Sequence, residues 1–316
     1  MILACGWNEI GAHAMSVAGR EGREAGPDLV KAGSEHWIAV TWRAFRKDRF
    51  AVIAGIVLLI IIAAAIAAPI VAPFDPYETE SSLRLQGYGT EGRLLGLDGQ
   101  GRDILSRLIW GGRTSIPLAV IPVALAMAIS MALALVAGYV GGLVGTTLMR
   151  LVDMLYAFPT VVLAIVVAIL VGNSYPSLAL VVVAVLVAPI TRVAYIAVRE
   201  QRGRDFVDAA RATGATPLRL MVVHIAPGAF PSVLVYSSTL IGLVIIFVAG
   251  LGFLGLGISP PTPEWGLMTA EGRTLLGVAP HIATVPGLVI GITAVCFNLV
   301  GDGLRFALDP RTRNIG

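Results

Sequence analysis

Charge is what this chain has least of. Only 14% of its 316 residues are charged and 56% are hydrophobic, with a mean hydropathy of +0.83, whereas soluble domains carry about a quarter charged residues. That scarcity excludes a soluble globular fold and leaves an integral membrane protein. Lysine is nearly missing as well: Lys31 and Lys47 are the only two among 23 basic residues. Neither follows a glycine, so there is no phosphate-binding loop, in which backbone N–H groups and a Gly-Lys ammonium hold a nucleotide's phosphates. The two cysteines, Cys5 in the N-terminal stretch and Cys296 in an apolar run, are too few for a disulfide framework or a metal-ligand cluster. Leu3-Ala4-Cys5-Gly6 has no charged and apolar leader before it, so lipidation is not expected. The four histidines, His13, His36, His224 and His281, are scattered, and no His-Glu-x-x-His or Gly-x-Ser-x-Gly pattern occurs. No catalytic residue and no metal site is therefore expected. His281 alone stands near a membrane boundary, where an interfacial polar residue accounts for it.

What is present is a series of charge-free runs. Residues 51–74 carry no charge, enough for one spanning helix of about 20 residues. Arg43, Arg46, Lys47 and Arg49 precede them. A second span is expected at about 115–137, ended by Gly138, Gly141, Gly142 and Gly145. Residues 154–191 read as a hairpin of two spans broken at Gly172 to Pro176. Arg150 and Asp153, three apart, are placed to pair at its start, and Arg192 closes it. A fifth span is expected at 232–253 and a sixth at about 282–300. Between them Pro260, Pro261 and Pro263 cannot continue a helix. Ahead of the second span, Ile104, Leu105, Leu108 and Ile109 form an apolar face beside Asp103 and Arg107, which reads as an amphipathic interfacial helix. The organisation is then a loose tail over 1–40, a first span with a polar segment over 41–113, a five-span core over 114–306 and a C-terminal tail over 307–316.

Six spans put both termini on one side. That side would hold 17 basic residues, including 6 between Arg192 and Arg219, against 6 on the other. Positive residues remain inside, so both termini and the loop over 199–231 are expected in the cytoplasm.

That loop is the one long polar interruption in the second half. Phe206, Ala209, Ala210 and Thr213 recur at helical spacing, and Gly214 stands where a helix ends in a left-handed residue. Thr216 suits the N-cap of a second short helix and Pro217 its first position. Placing Arg202, Arg204, Arg211 and Arg219 at a bilayer centre would cost roughly 2.5 kcal/mol or more each, so the segment belongs in water. The spans themselves are almost free of ionisable groups, unlike those of ion-driven carriers. Opening is therefore expected to be driven from outside the chain, with this loop as the handle.

These residues resemble the EAA loop of ABC-importer permeases: Asp208-Ala209-Ala210, then Gly214 and Ala226-Pro227, with Asp208 where Glu is usual and Ala226 where Leu is. Further segments resemble the C-type membrane subunit of the dipeptide, oligopeptide and nickel importers. They are the run Leu95 to Arg107 (LGLDGQGRDILSR), Met149 to Asp153 with Ala157-Phe158-Pro159, Gly252 to Gly257, Pro260 to Gly266, and Asn298 to Arg305 with Asp309-Pro310. The resemblance spans about 41–311. It implies an all-α, type I importer permease in the bacterial inner membrane, paired with a homologous permease subunit, two ATP-binding subunits and an extracytoplasmic binding protein. ATP and Mg would be bound by those partners, and no cofactor by this chain. It further implies an ATPase-coupling role for Phe206, Asp208, Ala209, Ala210, Gly214, Thr216, Pro217 and Pro227. Gly252, Phe253, Gly255 and Gly257 stand equally for gating or for close packing of spans. Asp98, Gly101, Arg102 and Asp103 are an external or interfacial signature. Peptides are the expected cargo, with nickel or another small solute as the alternative; a self-contained carrier or channel and a non-transporting scaffold are the competing classes.

Overall fold

The computed structural model describes residues 42–172 and 174–308. The tail over 1–40, Cys5 and the Asp309-Pro310 motif lie outside them. The chain separates into Met1–Ala44, of which Trp42–Ala44 are described and helical, and Phe45–Gly316. The architecture that follows is that of the second unit.

The described residues contain no strand, only isolated bridges between Thr90 and Arg93 and between Leu97 and Asp103. Helix α1 runs over Arg49–Ile66. Its first turn is capped by Asp48, whose Oδ1 accepts from the backbone N–H of Phe50 at 2.9 Å and Ala51 at 3.2 Å. It ends ahead of the proline-containing turn Ala68–Val71. Helix α2 covers Ile104–Val140, and at 37 residues it is about 55 Å long. It therefore absorbs both the expected interfacial helix and the second span. The sequence offers no break between them, and Gly111 and Gly112 are needed elsewhere: a Cβ on Gly111 would meet the Trp265 ring at 2.9 Å.

Helix α3, Gly142–Tyr156, and helix α4, Thr160–Val171, meet at a 92° bend. Pro159 stands at the N-cap of α4 and cannot donate into a continued helix. The third span is thus a bent pair rather than one helix from Met154. Five helices are long and apolar enough to cross a membrane, or six if the pair is one span. Helix α5, Tyr175–Arg202, and the short α6, Asp205–Ala212, lead to α7, which is continuous over Pro217–Phe253. The expected second short helix and fifth span are therefore one element. Its Leu220–Ile225 part is π-helical, with the Ala226 N–H reaching the Met221 carbonyl; Pro227, lacking an N–H, follows at once. Helices α8, Trp265–Gly272, and α9, His281–Leu308, complete the unit. Helices α2 and α5 pack along each other, as do α7 and α9, while α1 lies on α9. There Gly303 leaves room for Ala51, since a Cβ on Gly303 would run into the Ala51 side chain.

The segment before α2 is not an interfacial surface. Asp98, Arg102, Asp103 and Arg107 are all buried. Asp98 accepts from the Arg102 Nε at 2.6 Å, and the Arg102 Nη2 reaches Glu271 on α8 at 2.7 Å. Arg107 lies 3.6 Å from Asp98 and 3.7 Å from Glu271, and its Nη1 donates to the carbonyls of Pro76 and Pro261. Asp103 caps α2 by accepting from the Ser106 N–H at 2.7 Å. Gly101 has φ +79°, and a Cβ there would collide with the Glu80 carbonyl. The proline-rich segment is likewise no free turn. Glu264 accepts from Gly266 N–H and Leu267 N–H at 2.8 and 2.7 Å, while Ser115 donates to it at 3.0 Å. Trp265 is buried, its Nε1 donating to the Leu108 carbonyl at 2.9 Å. Ion pairs and caps thus tie the 75–103 segment, α8 and the start of α2 into one block. Asp98→Ala would leave the Arg102 guanidinium buried beside a lost partner. Its expected cost is about 3–5 kcal/mol, read as a lower unfolding midpoint in detergent, against almost no change for Arg84→Ala on the exposed surface.

Candidate functional site

The loop between α5 and α7 is built by local rules. Asp205 and Asp208 occupy the first turn of α6 and Arg211 its last, matching the helix dipole. Arg211 pairs with Asp208 at 2.8 Å across an exposed turn, a contact of small energetic weight. The helix ends in a Schellman motif. Gly214, at φ +84°, donates to the Arg211 carbonyl at 3.0 Å, and Ala215 donates to the Ala210 carbonyl at 3.2 Å. Thr216 then accepts from the Arg219 N–H at 3.4 Å, and Pro217 holds the first position of α7. The sequence-derived corner is therefore present with the expected residue at each point.

The apolar face is divided differently from the sequence expectation. The residue that anchors α6 is Val207, fully buried, in one core with Leu220 and Ile225 of the π-helical segment. Ala210 is half-buried beside it. Phe206, 45% exposed, and the exposed Asp208, Ala209 and Thr213 face away from the protein. The helix thus presents a small-residue, partly apolar face with one aromatic side chain, held from behind by one valine. Gly214 has open space around it, so only its backbone conformation demands glycine.

Three spans converge on this loop. The Arg202 Nη1 donates to the Gly138 carbonyl near the end of α2 at 3.0 Å. A Cβ on Gly138 would meet Val198 at 2.6 Å, and one on Gly228 would meet the buried Gln201 side chain at 2.5 Å. Helices α2, α5 and α7 are therefore packed closely together where α6 begins.

The other sequence-singled residues lie elsewhere. Asp98, Gly101, Arg102 and Asp103 stand at the Ile104 end of α2, opposite the Val140 end where the loop attaches. Gly255 repeats the Schellman geometry at the end of α7, donating to the Gly252 carbonyl at 3.0 Å while Leu256 donates to the Leu251 carbonyl at 2.9 Å. A Cβ on Gly257 would meet the Gly252 Cα at 2.6 Å, and one on Gly252 the backbone of Gly266 and Leu267 at 3.3 Å. Phe253 closes α7 with its ring 4.9 Å from the Arg273 guanidinium. For Gly252 and Gly257 the geometry is that of close packing, whereas Gly255, with open space around it, is set apart by its φ of +77°. Asp153 pairs not with Arg150 but with Arg192, at 2.7 Å, because the bend after α3 brings it beside α5. His281 is buried against Tyr88, ring centroids 5.3 Å apart, rather than displayed at a surface. Val207 and Glu271 were not singled out from the sequence. Glu264 caps α8 although Glu is not among the usual N-cap residues, so the sequence carried no signal for that role.

Charge-poor helices long enough to cross a membrane, with a short exposed helix attached at one end, define a helical membrane protein. A family model described as the binding-protein-dependent transport system inner membrane component matches residues 130–314, and one for the N-terminal transmembrane domain of oligopeptide transport permease C matches 37–87. The chain is 37% identical to the glutathione transport system permease protein GsiD of Pectobacterium atrosepticum, over 86% of this chain and 91% of that one. It is 39% identical to the dipeptide transport system permease protein DppC of Haemophilus influenzae, over 86% and 94%. Its fold resembles that of the MetNI methionine ABC transporter in an inward-facing conformation, with a TM-score of 0.53 at 15% identity, covering 64% of this chain and 97% of that one. The chain belongs to the family of binding-protein-dependent transport system inner membrane components and is a permease subunit of an ABC importer.

Val207→Ala should loosen α6 without unfolding the spans. Full burial of a valine contributes about 1.5–3 kcal/mol. The expected outcome is faster amide hydrogen exchange confined to residues 205–213, with protection of the spans unchanged.

Proposed function

We propose that this chain imports peptides as one half of a passage formed with a homologous membrane subunit. Two ATPase subunits carrying ATP and Mg drive it, and an extracytoplasmic binding protein supplies it. It crosses the bacterial cytoplasmic membrane six times with both termini inside, as the 17-to-6 distribution of basic residues favours. The peptide cargo is supported by the relatives, named for glutathione and for dipeptides, both of them peptides.

The observation that carries this reading is helix α6. A face bearing Phe206 and Ala209 is turned to solvent at the point where α2, α5 and α7 are locked together. Such a face is suited to a groove in another protein, because small side chains allow close approach and one aromatic supplies an anchor. Asp208 and Arg211 flank it, and Gly214 sets the angle at which the chain leaves toward Thr216, Pro217 and Pro227. ATP binding would close the ATPase pair and draw the coupling helices of the two membrane subunits together. The rigid attachment through Arg202, Gly138 and Gly228 would convert that movement into rocking of whole spans. No step of this cycle uses a reacting side chain of this chain.

The left-handed conformation of Gly214 gives a selective test. Gly214→Val would strain it by at least about 1–2 kcal/mol, whereas Asn adopts that conformation readily. In the assembled complex in proteoliposomes, Gly214→Val should abolish ATP-driven peptide uptake while Gly214→Asn keeps most of it, both variants inserting normally. Uptake unchanged in Gly214→Val would remove the coupling role.

A further inference from the structure

One ion pair stands apart from the polar ends of the spans. Arg192 lies within α5, ten residues and about 15 Å before Arg202 at the end of that helix. Its Nη2 and Nε both donate to a single oxygen, Asp153 Oδ1, at 2.7 and 3.0 Å. Asp153 Oδ2 and the Arg192 Nη1 have no partner among the described residues, and the two side chains are 47% and 46% exposed. Charged atoms within a span are costly against lipid and are found facing a watery cavity or protein. Here the surroundings match that rule. The guanidinium lies 4.7 Å from the centre of the Tyr156 ring. Tyr156 lines a cavity of about 730 Å³ between the α3–α4 bend, α5 and α7, with Tyr236 also in its wall. Tyr236 lines a second cavity too, of about 420 Å³, which extends past Val193 and Ser232 to Arg305. The two cavities adjoin at Tyr236. They make a groove along the facing sides of α5 and α7 that leads toward the end bearing α6; the ion pair lies beside it, next to Tyr156 in the wall of the first cavity and Val193 in that of the second. The walls of the larger cavity are otherwise almost wholly apolar, Leu186, Pro189 and Phe247 among them.

We propose that Asp153 and Arg192, half-exposed beside this groove, are a station for the charged termini of the transported peptide, an assignment that rests on the reading of this chain as a peptide permease. A peptide is a zwitterion whose one constant feature is a carboxylate at one end and an ammonium at the other. The guanidinium presents a planar donor set that suits a carboxylate, and the uncommitted carboxylate oxygen of Asp153 suits an ammonium. The apolar groove receives side chains of any type. As the peptide passes, its carboxylate takes the place of Asp153 on Arg192 and its ammonium engages Asp153, so one ion pair becomes two. When the peptide leaves, Asp153 and Arg192 neutralise each other again, and no lone charge remains inside the span. The pair is thereby specific for peptide ends and indifferent to sequence.

The test is uptake of alanyl-alanine, its C-terminal amide and its N-acetyl form by the complete complex in proteoliposomes, read as ratios of kcat/KM. A ratio does not depend on how much complex assembles, and the unaltered binding protein contributes equally to wild type and variant. Arg192→Gln should lower the preference for the free peptide over the amide by about tenfold or more, the weight of a charge-assisted hydrogen bond. Arg192→Lys should keep most of that preference. Asp153→Asn should lower the preference over the N-acetyl form instead. Equal loss for free and blocked peptides would overturn the proposal, because the pair would then serve only to hold α3 against α5 or against the second membrane subunit. If the wild-type complex takes up none of the three peptides, the peptide reading itself fails and the proposal with it.

Discussion

A hydrocarbon interior accepts neither a lone charge nor a free backbone end, and almost every feature of this chain follows from how it meets that demand. The spans are built from Ala, Val, Leu and Ile, and the basic residues are concentrated at their ends. Most of the polar side chains around the start of α2 are paired or capped, whereas Thr191 Oγ1, Ser237 Oγ and His281 Nε2 are buried with no hydrogen-bond partner among the described residues. Asp103 and Glu264 take up the open N–H groups at the starts of α2 and α8, and Ser115 bridges Glu264 and the Trp265 backbone. Arg102 and Arg107 are held between Asp98 and Glu271. Buried pairs of this kind add little net stability compared with apolar packing, but losing one member is severe. Their effect is to fix which segments can dock together, so that the 75–103 segment, α8 and the start of α2 have one arrangement.

The loop end of the bundle shows the same economy of polar groups. It is closed by close packing through Gly138 and Gly228 and by a single guanidinium-to-carbonyl bond from Arg202. Glycine at both positions lets α5 seat the Val198 side chain directly on the α2 backbone and that of Gln201 on the α7 backbone. Interfaces packed this tightly are displaced as units rather than deformed. Helix α6, by contrast, is attached through little more than Val207 and the Schellman turn at Gly214. It is thus a lightly attached helix with an exposed face, joined to a closely packed bundle, which is the geometry on which the proposed coupling role rests. The bend between α3 and α4 contributes Tyr156 to Thr160 to the wall of the cavity between α5 and α7, and Asp153, just ahead of it, pairs with Arg192 of α5.

Much of this was legible in the residues. The charge-free runs marked the membrane class and the starts of α1 and α9, although α1 stops at Ile66 rather than 74 and α9 continues to Leu308 rather than 300. The corner at Thr213, Gly214, Thr216 and Pro217 follows from capping rules that act over four or five residues, which is why each appears where it was expected. The lengths of α2 and α7 were not legible. A helix boundary needs a residue that terminates the helix, and neither Gly111-Gly112 nor Pro227 does so once Trp265 fills the first site and a π-turn accommodates the second. The bend at Pro159 was missed for the converse reason, because hydropathy runs straight through it.

Sequence by itself determined that this is a helical membrane protein, that its polar loop ends in a glycine-cornered helix, and which family it resembles, since all three depend on composition and on contacts between near neighbours. Tertiary structure alone decided that Asp98, Arg102 and Arg107 are buried rather than interfacial, that Val207 and not Phe206 holds α6, and that Asp153 belongs to Arg192. Each of those depends on a group more than a dozen residues away along the chain: Glu271, Leu220, or a helix turned by a right-angled bend. The cost of an unpaired charge is paid locally, but its partner is chosen only when the chain has folded.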